Sequence, residues 1–128
     1  MASPRKTVAI IGGGPVGLPA AAHALGRGLK PIVLEAGDKV GHAVKKWSHV
    51  RMFSPWSYNV DKAASALLHE EGWNSPEPDR YPTGGELVSQ YLEPLATRTR
   101  LRPHIKTNAR VVSVGRVGFD KVKSAGRE

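Results

Sequence analysis

The feature that most constrains this chain is a glycine-rich segment near its N terminus, Gly12-x-Gly14-x-x-Gly17. The residues before it, 7–11, form a short continuous apolar run, which is typical of a strand buried on both faces of a parallel sheet. Glycines at this spacing allow a tight turn, a close approach of the backbone to a ligand, and close packing of the following helix. The pattern therefore predicts a strand that passes through a tight turn into a helix.

The residues after the glycines predict that helix and a second strand. Apolar residues at i, i+3, i+4 and i+7 from Leu18 mark one face of a helix over 15–27. Pro15 suits its first turn and Gly28 suits its C-terminal end. An apolar run over 31–35 follows and ends in an acidic residue, Glu35. Residues 8–37 are therefore predicted to be a βαβ unit of the kind that binds a dinucleotide.

The predicted unit also narrows the choice of dinucleotide. A helix N terminus offers free N–H groups and a partial positive charge to phosphates, and Glu35 can accept hydrogen bonds from ribose hydroxyls. A carboxylate at this place repels an adenosine 2′-phosphate, so NADP is disfavoured here. FAD and NAD both remain compatible with these residues. The alternative, a glycine-rich turn beside an unrelated surface glutamate, is disfavoured by the strand, helix and strand around the motif.

Further along the chain, the pattern predicts more helices and strands. These are a helix over 61–71 capped by Asp61, a helix opened by a capping box from Thr83 to Glu86, and strands over 105–107 and 110–117. Pro19 and Pro94 fall inside predicted helices and predict kinks, because proline lacks an N–H and crowds the carbonyl four residues earlier. The fold class is therefore α/β, a Rossmann-like domain with a parallel sheet and flanking helices.

Composition excludes several other functions. The net charge is +8, and residues 98–128 hold nine of the 19 Lys and Arg residues but two of the 11 Asp and Glu residues. These basic residues are spaced singly among valines, which favours a solvated strand face over a nucleic-acid site. The chain has no cysteine, so it offers no disulfide, thiol nucleophile or thiolate metal site. We expect a cytoplasmic protein without a membrane span, and the five histidines show no metal-ligand spacing.

The order of segments resembles the N-terminal part of FAD-dependent oxidoreductases related to flavin-containing monooxygenases. The segments that carry the resemblance are VAIIGGGPVGL, VLEAG, HVRMFSPWSYNVD, YPTGGELVSQYLEPLA and TNARVVSV. In that family the N-terminal glycine motif holds FAD, and a second glycine motif far downstream holds NADPH. The resemblance therefore implies an FAD-binding segment of an oxidoreductase that uses NADPH.

The resemblance also implies which residues contact the cofactor. Four residues of the glycine turn would surround the FAD pyrophosphate: Gly12, Gly14, Pro15 and Gly17. Glu35 would bind the adenosine ribose, and Trp47 would lie near the cofactor. Arg51 would approach the flavin, and Val111 would place its backbone at the edge of the adenine. Neither the resemblance nor the residues single out a catalytic acid, base or nucleophile.

The sequence departs from the family in three places. The family's Gly-Gly before the tryptophan is missing between Gly41 and Trp47, Pro19 stands where alanine is expected, and no second glycine motif follows. We therefore expect residues 1–128 to be a single FAD-binding domain that is incomplete at the C terminus and inactive alone. A dinucleotide-binding module without turnover and an NAD-binding Rossmann domain remain alternatives. The substrate and the oligomeric state stay open.

Overall fold

A computed structural model describes residues 5–118, which include a parallel sheet of three strands. The strands are β1 (Thr7–Ile11), β2 (Lys30–Leu34) and β3 (Ile105–Lys106), in the order β1-β2-β3. In register, Ile10 pairs with Val33, and Val33 pairs with Ile105 on its other side. The predicted βαβ arrangement is thus confirmed.

Helices connect and cover these strands. Between β1 and β2 lies α1 (Gly17–Gly26), and the long crossover from β2 to β3 holds the rest. The crossover contains α2 (His42–Lys45), α3 (Trp56–Asn59), α4 (Lys62–Glu70), α5 (Gly84–Leu87), a π-helical turn (Val88–Leu92), α6 (Glu93–Arg98) and a 3-10 turn (Arg102–His104). Two of its predicted caps are confirmed. Asp61 accepts a hydrogen bond from the Ala64 N–H, and Thr83 and Glu86 form the capping box.

The core lies between the sheet, α1, α4 and the helical stretch from α5 to α6. Leu18 and Val33 are fully buried where α1 packs on the sheet, and Leu67 and Tyr91 join them from the crossover. Burial of such apolar side chains stabilises the fold by about 1.5–3 kcal/mol each. The backbone N–H of Asp61 donates to the Tyr91 hydroxyl at 3.1 Å, which ties the start of α4 to this core.

Burial of β1 differs from the prediction. The exposure of its residues alternates, and Ile11 keeps 61% of its surface exposed. Within residues 5–118, α1 packs on one face of the sheet, and Ala9 and Ile11 on β1 remain exposed. The expectation of a strand buried on both faces is therefore wrong for β1 in this part of the chain.

The predicted strand over 110–117 is also absent from the described residues. This segment is irregular, with Val112 and Val114 strongly exposed. Before it, Asn108 adopts a positive φ of 53° and donates its N–H to the Gly37 carbonyl oxygen at 2.8 Å. Alternating valines suit a strand, but a strand requires a neighbour to hydrogen-bond with. No described residue supplies that neighbour.

The two helical prolines are accommodated differently. α1 begins at Gly17, two residues later than predicted, so Pro19 falls in its first turn, where few N–H groups have helical partners. Pro94 instead follows the π-helical turn, in which the Glu93 N–H donates to the Val88 carbonyl oxygen. The Gln90 carbonyl, four residues before Pro94, accepts from the Trp73 indole N–H at 2.9 Å. The sequence predicted the irregularity at Pro94 but not its π-helical form.

Candidate functional site

The glycine turn between β1 and α1 requires glycine at two positions, for two different reasons. Gly12 has a φ of +100° and donates its N–H to the Leu34 carbonyl oxygen at 2.9 Å. A Cβ atom on Gly17 would overlap the Gly12 carbonyl oxygen. Position 12 thus requires glycine because its φ is positive, and position 17 requires glycine because its backbone lies against the carbonyl of residue 12.

A cavity of about 280 Å³ opens in front of this turn. Its lining includes Gly12, Gly14, Pro15 and Gly17 from the turn together with Glu35. α1 starts at this cavity without a side-chain cap and without an acidic residue in its first turn. The Leu18 and Ala20 N–H groups already donate to the Gly14 and Val16 carbonyl oxygens, and Pro19 has no N–H. This end of α1 therefore offers an anion the Gly17 N–H and the positive end of the helix dipole.

Glu35 is fixed at the end of β2 by hydrogen bonds to both carboxylate oxygens. Oε1 accepts from the Gly13 N–H at 2.9 Å, and Oε2 accepts from the Gly37 N–H at 2.6 Å. Its backbone carbonyl oxygen accepts from the Ala109 N–H at 2.9 Å. Each carboxylate oxygen can accept a further hydrogen bond, so the oriented side chain can bind neighbouring hydroxyl groups.

The segment that starts α2 completes the cavity wall. Gly41 has a φ of +71° and donates its N–H to the Gly13 carbonyl oxygen at 2.9 Å. Its neighbour His42 lines the cavity, as do Ala43 and Val44. In the sequence this stretch departs from the family pattern, and no cofactor contact is predicted for it. The one signal in the sequence for this contact is the position of the stretch in the loop after Glu35.

The structure brings together five of the eight predicted site residues. Three others lie outside the cavity lining: Trp47, Arg51 and Val111. Trp47 packs on Gly84, where a Cβ atom would come within 2.5 Å of the indole Cε3. Arg51 pairs with Thr83 in an antiparallel bridge and donates from Nη1 to the Tyr81 carbonyl oxygen at 2.6 Å. The proposed cofactor contacts of these three residues stay predictions.

Among residues 5–118, no group of three or more His, Asp or Glu side chains is arranged to hold a metal ion. In that same part of the chain, no helix has the length and apolar character needed to cross a membrane.

Comparisons with known proteins point to one family and one group of enzymes. A family profile described as pyridine nucleotide-disulphide oxidoreductase matches residues 9–124. An oxidized steroid monooxygenase bound to NADP superposes with a TM-score of 0.60 at 27% identity, over 80% of this chain and 19% of its own. OTEMO in complex with FAD and NADP superposes with a TM-score of 0.60 at 22% identity, over 86% of this chain and 20% of its own.

A closed structure of cyclohexanone monooxygenase superposes with a TM-score of 0.54 at 23% identity, over 82% of this chain and 20% of its own. The chain thus spans about a fifth of the length of these solved structures. No curated protein sequence matches it. At identities below 25%, the likeness to OTEMO and to cyclohexanone monooxygenase establishes a shared Rossmann-like fold.

Proposed function

Because the chain belongs to the pyridine nucleotide-disulphide oxidoreductase family, we propose that the cavity at its glycine turn binds the ADP half of FAD. The observation that carries the proposal is the pairing of an uncapped helix N terminus with an oriented carboxylate in one cavity. The Gly17 N–H and the dipole of α1 bind the pyrophosphate, and Glu35 binds the ribose hydroxyls. The OTEMO structure that contains FAD and NADP shares this fold.

The residues of the cavity fit the pyrophosphate and the ribose of a dinucleotide. A Cβ atom on Gly14 would meet nothing within 4 Å, so the backbone there is open to a ligand. Pro15 adds no N–H, but it lies before α1, where its fixed φ suits the entry into the helix. The Glu35 carboxylate disfavours a 2′-phosphate at the ribose. FAD carries no such phosphate, which supports FAD over NADP at this site.

Three further contacts belong to the proposal. Val111 contributes its backbone at the adenine edge, and Arg51 faces the flavin side. Trp47, which packs on Gly84, lies near the cofactor. We treat residues 1–128 as one FAD-binding domain built on the βαβ unit at 8–37.

For the reaction, we propose a flavin-dependent oxidoreductase of the monooxygenase type that uses NADPH as reductant. Steroid and cyclohexanone monooxygenases among the structural neighbours support this type. Bound flavin would supply the redox chemistry, and the protein would bind, orient and shield it. The chain contains no cysteine, so these 128 residues supply no redox disulfide. No residue of the described cavity is assigned to NADPH.

A ligand titration tests the proposal. The purified chain is titrated with FAD, NAD and NADP, and binding is followed by calorimetry and by the flavin absorbance band. We expect FAD to bind and NADP to bind more weakly than NAD, because Glu35 repels the 2′-phosphate. Binding of NAD without binding of FAD would overturn the proposal.

A further inference from the structure

The cavity at the glycine turn has an electrostatic feature that follows from its lining. A dinucleotide brings two phosphate charges into a cavity that already holds the Glu35 carboxylate. Of the side chains that line it, His42 is the one that can carry a positive charge. This argument rests on the proposed function, because it assumes that a dinucleotide occupies the cavity.

His42 is held in place by the loop after β2. A Cβ atom on Gly37 would stand 2.5 Å from both Cβ and Cγ of His42, so the side chain packs directly on this glycine. The ring atom Nδ1 lies 3.7 Å from an Asp38 carboxylate oxygen, at the edge of ion-pair distance. Within residues 5–118, no residue forms a hydrogen bond with Nε2 of His42. About half of the side chain is exposed.

We propose that His42 donates a hydrogen bond from Nε2 to a phosphate oxygen of the bound dinucleotide and, when protonated, supplies positive charge to it. The Asp38 carboxylate takes the Nδ1 side of the ring, which leaves Nε2 for the ligand. Hydrogen bonds between charged partners are stronger than neutral ones. His42 is therefore a phosphate-binding residue that sets how cofactor affinity depends on pH.

The charged side chains around His42 influence how FAD affinity depends on pH. The loop after β2 contributes Asp38 and the end of β2 contributes Glu35, whose oxygens are bonded to Gly13 and Gly37. The glycine turn and the first turn of α1 contribute no ionisable side chain to the cavity. On α2 itself, Lys45 pairs with Glu93 at 3.7 Å. Histidine ordinarily changes charge between pH 5 and 8, so we expect FAD to bind more tightly at pH 6 than at pH 8.5.

Three variants test this inference through the dissociation constant for FAD at the two pH values. His42→Gln keeps a hydrogen-bond donor without the charge, and His42→Lys keeps the charge throughout this range. His69→Gln is the matched control, because His69 is exposed at the end of α4 and outside the cavity. Circular dichroism and thermal unfolding confirm that each variant is folded.

We expect the affinity of the unaltered chain and of His69→Gln to fall about fivefold from pH 6 to pH 8.5. His42→Gln should bind with the weaker affinity at both pH values, and His42→Lys with nearly constant affinity. An unchanged pH profile in His42→Gln would overturn the inference. If that variant does not fold, a pH profile of His42→Lys equal to that of the unaltered chain overturns it instead. Failure of the unaltered chain to bind FAD at either pH would reject the proposed function.

Discussion

Gly17 lies so close to Gly12 that a Cβ atom on Gly17 would overlap the Gly12 carbonyl oxygen. The same added atom would also come within 3.3 Å of the Ile10 side chain. The contact joins the first turn of α1 to the end of β1, so the two elements that frame the cavity are held at a fixed distance. A residue larger than glycine would push them apart.

We expect Gly17→Ala to lower the free energy of unfolding by about 1–3 kcal/mol, since the overlapping atom is backbone and cannot rotate away. FAD binding should be lost or strongly weakened. Gly26→Ala is the matched control, because a Cβ atom at that end of α1 meets nothing within 4 Å. It should leave binding unchanged and stability equal or up to about 1 kcal/mol higher. Urea unfolding and FAD titration of both variants check this, and equal effects at the two glycines would contradict it.

Glu35→Gln should weaken both the loop and the cofactor site. The carboxylate accepts from the Gly13 and Gly37 amides, and a glutamine side chain can accept from only one of them. Loss of such a bond to a charged group costs about 1–3 kcal/mol. We expect reduced thermal stability and FAD affinity at least about tenfold weaker.

Glu77→Gln serves as the control for this experiment, because Glu77 lies in the loop between α4 and α5, away from the cavity lining. It should match the unaltered chain in both measurements. If Glu35→Gln also matches the unaltered chain in FAD affinity, then Glu35 does not bind the ribose.

Asp61 makes the stability of the fold depend on pH. Partial burial disfavours its charged form, but hydrogen bonds from the Ala64 N–H and from His23 outweigh burial and lower the pKa of the carboxyl below its ordinary value. A lowered pKa in the folded state means that the carboxylate stabilises the protein above about pH 4, its unfolded value. This stability is lost as the pH falls through the lower, folded pKa.

Two substitutions separate the charge of Asp61 from its role as a helix cap. Asp61→Asn keeps a good capping residue but removes the carboxyl that takes up a proton. We therefore expect the free energy of unfolding to fall less steeply below pH 4 than in the unaltered chain. Asp61→Ala should cost about 1 kcal/mol more at pH 7, because the Ala64 N–H loses its partner. Chemical unfolding between pH 2.5 and 7 measures both effects. An unaltered acid profile in Asp61→Asn would contradict the assignment.

The π-helical turn before α6 predicts an energetic coupling between Trp73 and Pro94. Because position 94 has no N–H, the Gln90 carbonyl accepts from the Trp73 indole instead. Trp73→Phe removes that donor and should cost about 0.5–1.5 kcal/mol of hydrogen bonding in addition to lost packing. In a Pro94→Ala background, the new N–H can replace the indole, so the same substitution should cost less. A double-mutant cycle that gives strictly additive free energies would contradict this relationship.

The parts of the fold that the sequence predicted are those set by neighbouring residues. The β1 turn, α1 and β2 lie within about thirty residues, and the contacts of Gly12, Gly17 and Glu35 all fall inside this one βαβ unit, whose residue spacing recurs as a motif. Caps such as Asp61 and the Thr83 box are local as well. The spacing of these residues alone therefore carries enough information to place them.

The parts that the sequence did not predict depend on contacts between segments that no motif links. Alternating valines over 110–117 satisfy the rule for a strand, but pairing requires a neighbouring strand that local sequence cannot reveal. The lining role of His42 depends on the Gly41 N–H reaching Gly13, twenty-eight positions away. The π-helical turn depends on Trp73 reaching Gln90. Each of these contacts arises from packing and has no signature in residue spacing.

An NMR titration of the ¹⁵N-labelled chain with FAD tests the central claim most directly, because it reports where the dinucleotide binds. We predict that the amide signals of Gly13, Gly14 and Val16 shift with increasing FAD, as does that of Gly37. The amide of Gly72, beside a separate cavity of about 440 Å³, should not move. Shifts confined to the surroundings of Gly72, or none at all in a folded chain, would contradict the assignment of the glycine turn as the FAD site.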